Sequence, residues 1–143
     1  MKEFLRKNII QILFFQAIIA TFGSLYFSEV MLLPPCILCW YQRIAMYPLV
    51  AIFAVGIIRQ DKNVAWYALP SALIGLGIAI YHNLLYYGII PESIQPCKLG
   101  VSCTTKFFEW FGFITIPFLS LVAFTVITVG LIYFIKLNFK KYV

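Results

Sequence analysis

Apolar residues in this chain run in long blocks and do not alternate with polar ones. Four blocks stand out. The first extends from Asn8 to Phe27 behind the basic Lys2, Arg6 and Lys7, and the second from about Trp40 to Ile58, stopping at Arg59-Gln60-Asp61-Lys62-Asn63. The third runs from Val64 to Ile90 with Pro70 inside it and ends before Pro91; the fourth runs from about Phe113 to Ile135 and ends at Lys136, followed by Lys140 and Lys141. A hydrocarbon layer about 30 Å thick is crossed by about 20 apolar residues in a helix. Backbone in lipid must satisfy its own hydrogen bonds, and no period-two pattern offers a barrel instead. The pattern therefore predicts an all-α fold, an integral membrane four-helix bundle, with 1–143 as one domain because no repeat, linker or low-complexity segment divides it.

Composition makes the membrane obligatory. Of 143 residues, 63% are hydrophobic, 18% aromatic and 11% charged, against about 45 to 50% apolar and about 25% charged in average globular chains. A soluble fold of this size has no means of hiding so much apolar surface.

The charge of +6, from eleven basic and five acidic residues, reads as a topology signal. Four spans bring both termini and the Arg59 to Asn63 turn to one side, which then carries Lys2, Arg6, Lys7, Arg59, Lys62, Lys136, Lys140 and Lys141; the other side keeps Arg43, Lys98 and Lys106. Basic loops stay in the cytoplasm, so no nucleic-acid partner is needed. Both termini are expected in the cytoplasm, and the loops 28–39 and 91–112 on the outer side of the cell membrane. The basic start and apolar stretch of the N-terminus resemble a signal peptide, but the stretch is long and no A-x-A site follows it, so an uncleaved first helix is expected.

All four cysteines fall in the two outer loops: Cys36 and Cys39 as C-x-x-C, and Cys97 and Cys103 as C-x5-C. Outside the cytoplasm thiols can form and exchange disulfides. Structural disulfides compete with a redox role, but a short C-x-x-C ring is strained and reducible. A zinc site of all four cysteines is the second competitor, although the second pair exceeds the usual ligand spacing. Covalent haem needs C-x-x-C-H, and Trp40 follows Cys39.

Pro34-Pro35 precede Cys36, which suits the first turn of a helix and places Cys36 where the helix dipole favours a thiolate. At about 100° per residue, Cys36, Cys39, Arg43 and Tyr47 share one stripe of that helix. Arg43 reads either as a side chain snorkelling to the interface or as a functional intramembrane cation. His82, in Tyr81-His82-Asn83 with Tyr86 and Tyr87 further out, reads equally as a satisfied bundle residue or a site residue. A disulfide-forming protein must also discharge two electrons per bond. With no haem, flavin or iron-sulfur motif, a membrane quinone (ubiquinone or menaquinone) is the simplest acceptor. Arg43 would donate to a quinone oxygen and His82 would add a hydrogen bond or proton.

The segment Pro34-Pro35-Cys36-Ile37-Leu38-Cys39-Trp40-Tyr41-Gln42-Arg43, the four spans and the second outer cysteine pair together resemble the DsbB family of disulfide-bond formation proteins, in particular its compact BdbC-like members. The resemblance covers essentially the whole chain and implies a thiol:quinone oxidoreductase that reoxidises a secreted thioredoxin-fold thiol oxidase. It implies that Cys36 and Cys39 form the quinone-coupled disulfide, with Cys39 the thiolate nearest the quinone and Arg43 beside it. It further implies that Cys97 and Cys103 form the disulfide attacked by the partner, Cys97 taking the mixed disulfide and Cys103 passing to Cys36. The C-x5-C spacing is shorter than is common in the family, so the geometry of that relay is the feature to check. Between Thr104 and Phe113, the residues Phe107, Phe108, Trp110, Phe111 and Phe113 interspersed with Lys106 and Glu109 predict a short interfacial helix in the second outer loop, with an aromatic belt as the plainer reading. Two alternatives remain: a conduit carrying reducing equivalents outward, disfavoured by cysteines on one face only, and a non-enzymatic membrane scaffold or accessory subunit with structural disulfides or zinc.

Overall fold

The computed structural model describes the chain except residues 1, 95–100, 105, 107, 108, 111, 113 and 143. Four long helices dominate: α1 (Lys2–Leu25), α2 (Ile37–Arg59), α3 (Val64–Tyr86) and α4 (Ile116–Tyr142). All four are long and apolar enough to cross a membrane. Each packs on the next, and α4 closes on α1, an up-down-up-down bundle.

Small residues bring the helices together. On α3, Ala65, Ala68, Ala72 and Ala79 are completely buried, and with Gly75 they form an inward stripe at helical spacing that continues to His82. Facing them are Leu49 and Phe53 of α2 and Phe124, Ile127 and Leu131 of α4. At Gly75 an added Cβ would collide with the Phe124 ring. Such close backbone approach is how membrane helices gain packing where lipid tails offer no hydrophobic drive. The outer faces remain apolar, with Phe15, Phe22, Ile58, Ile74 and Val129 exposed, as a lipid-facing surface requires.

The α2–α3 connection is tight because Gln60 adopts a left-handed conformation (φ 51°) and its N–H returns to Gly56 and Ile57 carbonyls. Asp61 Oδ1 accepts the Asn63 N–H at 2.8 Å. Pro48 interrupts the α2 ladder, and Ser71 Oγ of α3 donates to the Ala45 carbonyl at 2.8 Å, joining α2 to α3. Near the other end Asn83 Nδ2 donates to Ala79 and Pro117 carbonyls, each at 2.8 Å, joining α3 to α4.

Several helix boundaries differ from expectation. The third helix stops at Tyr86 rather than Ile90, as the chain turns through Gly88 at φ +72°, and the fourth begins at Ile116 and runs to Tyr142. The predicted interfacial helix is also corrected. Glu109–Trp110 pairs antiparallel with Ile114–Thr115 around Gly112 at φ +77°. Gly112 supplies a turn that β-branched Ile114 and Thr115 extend. Phe107, Phe108, Phe111 and Phe113 lie outside the described residues.

Candidate redox site

Pro34 and Pro35 keep the incoming chain extended, and Cys36 caps α2 with an extended backbone (φ −72°, ψ 168°). Its Sγ accepts the Cys39 N–H at 3.3 Å, and its carbonyl accepts the Trp40 N–H at 3.1 Å, the first rung of the helix. One turn on, Cys39 Sγ lies 2.8 Å from Cys36 Sγ. Both are free thiols, Cys36 buried and Cys39 half-buried. The hydrogen bond from the Cys39 thiol holds the Cys36 thiol well below its ordinary range; burial opposes this, and His82 and the Cys39 N–H reinforce it.

Across from Cys36 stands α3. His82 Nε2 lies 3.8 Å from Cys36 Sγ and 3.3 Å from the Cys103 carbonyl oxygen, while Gln42 Nε2 lies 3.5 Å from His82 Nδ1. Cys103 is buried and disulfide-bonded; Cys97 lies outside the described residues. The ligand atoms of Cys36, His82 and Cys103 are all within 4.8 Å of one another. Such closeness also suits a metal, but a disulfide sulfur has no thiolate to offer one. The arrangement fits sulfur exchange instead.

Arg43 does not snorkel. It is 7% exposed and turned to α1, where Nε donates to Ser24 Oγ at 2.9 Å and Nη2 to the Ser24 carbonyl at 2.8 Å. Its guanidinium also sits 5.3 Å from the centre of the Trp40 ring, within cation–π range. Immediately after Ser24, α1 widens into a π-helical turn (Tyr26–Val30), a feature often found at functional sites. Between these elements lies a cavity of about 330 Å³ whose walls include Cys36, Cys39, Arg43, His82, Leu119 and Ala123. That volume is at the lower end of small-molecule pockets, about 300 to 1,000 Å³.

All described residues expected at the site therefore converge: Cys36, Cys39, Arg43, His82 and Cys103 share one cavity. Two contributors were not anticipated, Ser24 and Gln42. Both are polar residues inside membrane helices, which is the signal that marks them.

The family model described as "Disulfide bond formation protein DsbB" matches residues 6–134. The chain belongs to the DsbB family. It is 50% identical over 113 residues to Disulfide bond formation protein C of Bacillus subtilis (strain 168), covering 79% of this chain and 82% of that one. It is 46% identical over 137 residues to Probable disulfide formation protein C 2 of Bacillus anthracis, 96% of each chain. A Probable disulfide formation protein of Metapseudomonas resinovorans is 43% identical over 126 residues, 87% of this chain and 88% of that one. No solved structure matches. As a DsbB-family member with four apolar helices, the chain is a multi-pass membrane oxidoreductase of disulfide-bond formation, which displaces the scaffold alternative.

Proposed function

We propose that this DsbB-family protein reoxidises a secreted thioredoxin-fold thiol oxidase and passes the electrons to a membrane quinone. The observation that carries the reading is the position of Cys36, with Cys39 Sγ at 2.8 Å on one side and Cys103 Sγ within 4.8 Å on the other. Cys36 is the sulfur at which two pairs can exchange.

The steps balance as thiol–disulfide exchange. A partner thiolate attacks Cys97, the Cys97–Cys103 bond breaks, and the electron pair leaves on Cys103; the partner's second thiol then displaces Cys97 and leaves as the partner disulfide. Cys103 thiolate attacks Cys36 of the Cys36–Cys39 disulfide, the Cys103–Cys36 bond forms, and Cys39 departs as the thiolate one turn above Arg43. Cys97 displaces Cys36 from Cys103, so the second pair is again a disulfide and the first holds two electrons. A free Cys36–Cys39 dithiol beside a disulfide-bonded Cys103 is the arrangement expected at that stage. The stabilisation of Cys36 in the resting dithiol is compatible with Cys39 as the charged sulfur during transfer, since Cys36 is then covalently engaged.

A quinone, when bound, accepts two electrons and two protons as the Cys36–Cys39 disulfide reforms. The cavity fits such a group: it is mostly apolar, it reaches α1 and α4 through Ile19, Leu119 and Ala123, and the hydrogen bonds of Arg43 to Ser24 use Nε and Nη2, leaving Nη1 to donate to a further acceptor. Arg43 would hold a quinone oxygen, and His82 would bond it or return a proton. In this reading the cysteine end faces outward and both termini face the cytoplasm of a cell-membrane protein, supported by the basic residues at the terminal side. Purified protein supplied with a reduced thioredoxin-fold oxidase and quinone should consume thiols and reduce quinone in equal two-electron steps. A Cys36→Ser or Cys39→Ser variant retaining full activity sinks the proposal.

A further inference from the structure

His82 is oriented from both sides by groups whose hydrogen-bonding roles are fixed. The Gln42 Nε2 amide 3.5 Å from Nδ1 can only donate, so Nδ1 is the acceptor. The Cys103 carbonyl 3.3 Å from Nε2 can only accept, so Nε2 carries the proton. The two constraints agree. Both side chains are inaccessible enough for the choice to persist, with Gln42 8% and His82 2% exposed.

We propose that Gln42 is a positioning residue that holds His82 in the Nε2–H tautomer, so that this N–H links Cys36 Sγ to the Cys103 backbone. The inference rests on the exchange reading above and adds the group that keeps its two sulfurs in register. No proton is transferred in this role. The N–H stabilises negative charge on Cys36 while the Cys36–Cys103 bond forms or breaks, and its bond to the Cys103 carbonyl holds that residue against α3. A carboxylate at position 42 would do the opposite. It would accept from Nδ1–H and leave the Nε2 lone pair facing a carbonyl oxygen and a thiolate.

The chain has a single histidine, so nitrogen-15 labelling of histidine reports this ring alone in the full-length protein in detergent. The wild-type spectrum should show a protonated Nε2 and a bare Nδ1, and Gln42→Glu should move the proton to Nδ1. Gln42→Ala should give a mixture. Transfer of the disulfide between the two cysteine pairs, started with a reduced thioredoxin-fold oxidase and stopped by acid and alkylation, should slow roughly tenfold in Gln42→Glu, as expected for losing a hydrogen bond to a charged sulfur. A wild-type proton on Nδ1 overturns the proposal without any variant. So does a Gln42→Glu protein whose tautomer reverses while transfer keeps its wild-type rate. If the wild-type protein performs no transfer at all, the proposed function fails, whereas the tautomer is decided by the spectrum alone.

Discussion

The two ends of this bundle are built from the same helices to opposite purposes. At the α2–α3 turn, Gly56 backs onto Val64, and Ala65, Ala68 and Ala72 are sealed from solvent. At the other end the same α3 stripe reaches His82, α1 widens into its π-helical turn, and a cavity opens among Gln42, Arg43 and the cysteines. Small side chains close one end, and paired polar side chains hold the other open. Three of the buried polar side chains there are bonded to another helix or loop: Arg43 on Ser24, Gln42 on His82, His82 on Cys103. A buried polar group is tolerated when it is bonded, so the redox end gains chemistry without leaving those groups stranded.

The sharpest break between the ends comes from Cys103→Ser. Electron entry should fall to background, because oxygen cannot carry the exchange, while thermal stability in detergent should change little beyond the loss of one disulfide. Direct reduction of the Cys36–Cys39 pair by a small dithiol should still feed quinone reduction, which separates a broken relay from a broken site. Stopped assays of each half-reaction check both points.

The Cys36 thiol gives the next largest effect. Held below the ordinary thiol range by Cys39 and His82, it should keep reacting with iodoacetamide as pH falls two units below a normal thiol pKa, where an unassisted thiol has lost about a hundredfold in rate. The same depression makes the reduced protein more stable above the unfolded thiol's pKa. That contribution is lost as pH falls through the lower folded value. A rate that tracks an ordinary thiol overturns the assignment.

At the closed end, Gly56→Leu drives a side chain into Val64 and should cost about 1 to 3 kcal/mol, read as a lower unfolding midpoint in detergent. Turnover per folded molecule should remain close to wild type. A loss of turnover larger than the loss of folded protein would mean that the two ends are coupled.

The closed end was also the more legible in sequence, since apolar length and the charged break at Arg59 to Asn63 define α2 and α3 with no long-range information. Boundaries failed where turn chemistry decided them: Gly88 ended α3 early, and Gly112 with Ile114 and Thr115 made a strand pair where aromatic clustering suggested a helix. The motif Cys36, Cys39 and Arg43 was readable because one helix carries it. The approach of His82 to Cys36, 46 residues away in sequence, was not, nor were the roles of Ser24 and Gln42. Helix periodicity shows which face a polar residue occupies, but its partner depends on how separate helices are aligned in depth and rotation.

Ser24 provides the smallest and most discriminating effect. Arg43→Ala removes the cation itself, and its apparent KM for quinone should rise roughly tenfold to a hundredfold, as for a lost hydrogen bond from a charged donor. Ser24→Ala removes only the hydroxyl that accepts from Nε at 2.9 Å; the backbone carbonyl still accepts from Nη2 at 2.8 Å. Arg43 should therefore stay in place with more freedom, raising the apparent KM about two- to fivefold, the scale of a single modest hydrogen bond. Interloop transfer should be unchanged because neither sulfur pair touches that contact. An Arg43→Lys variant sharpens the test: lysine keeps the charge but not the planar fork, so it should fall between the other two. If Ser24→Ala matched Arg43→Ala, the serine would be acting on the cavity directly and not through the arginine.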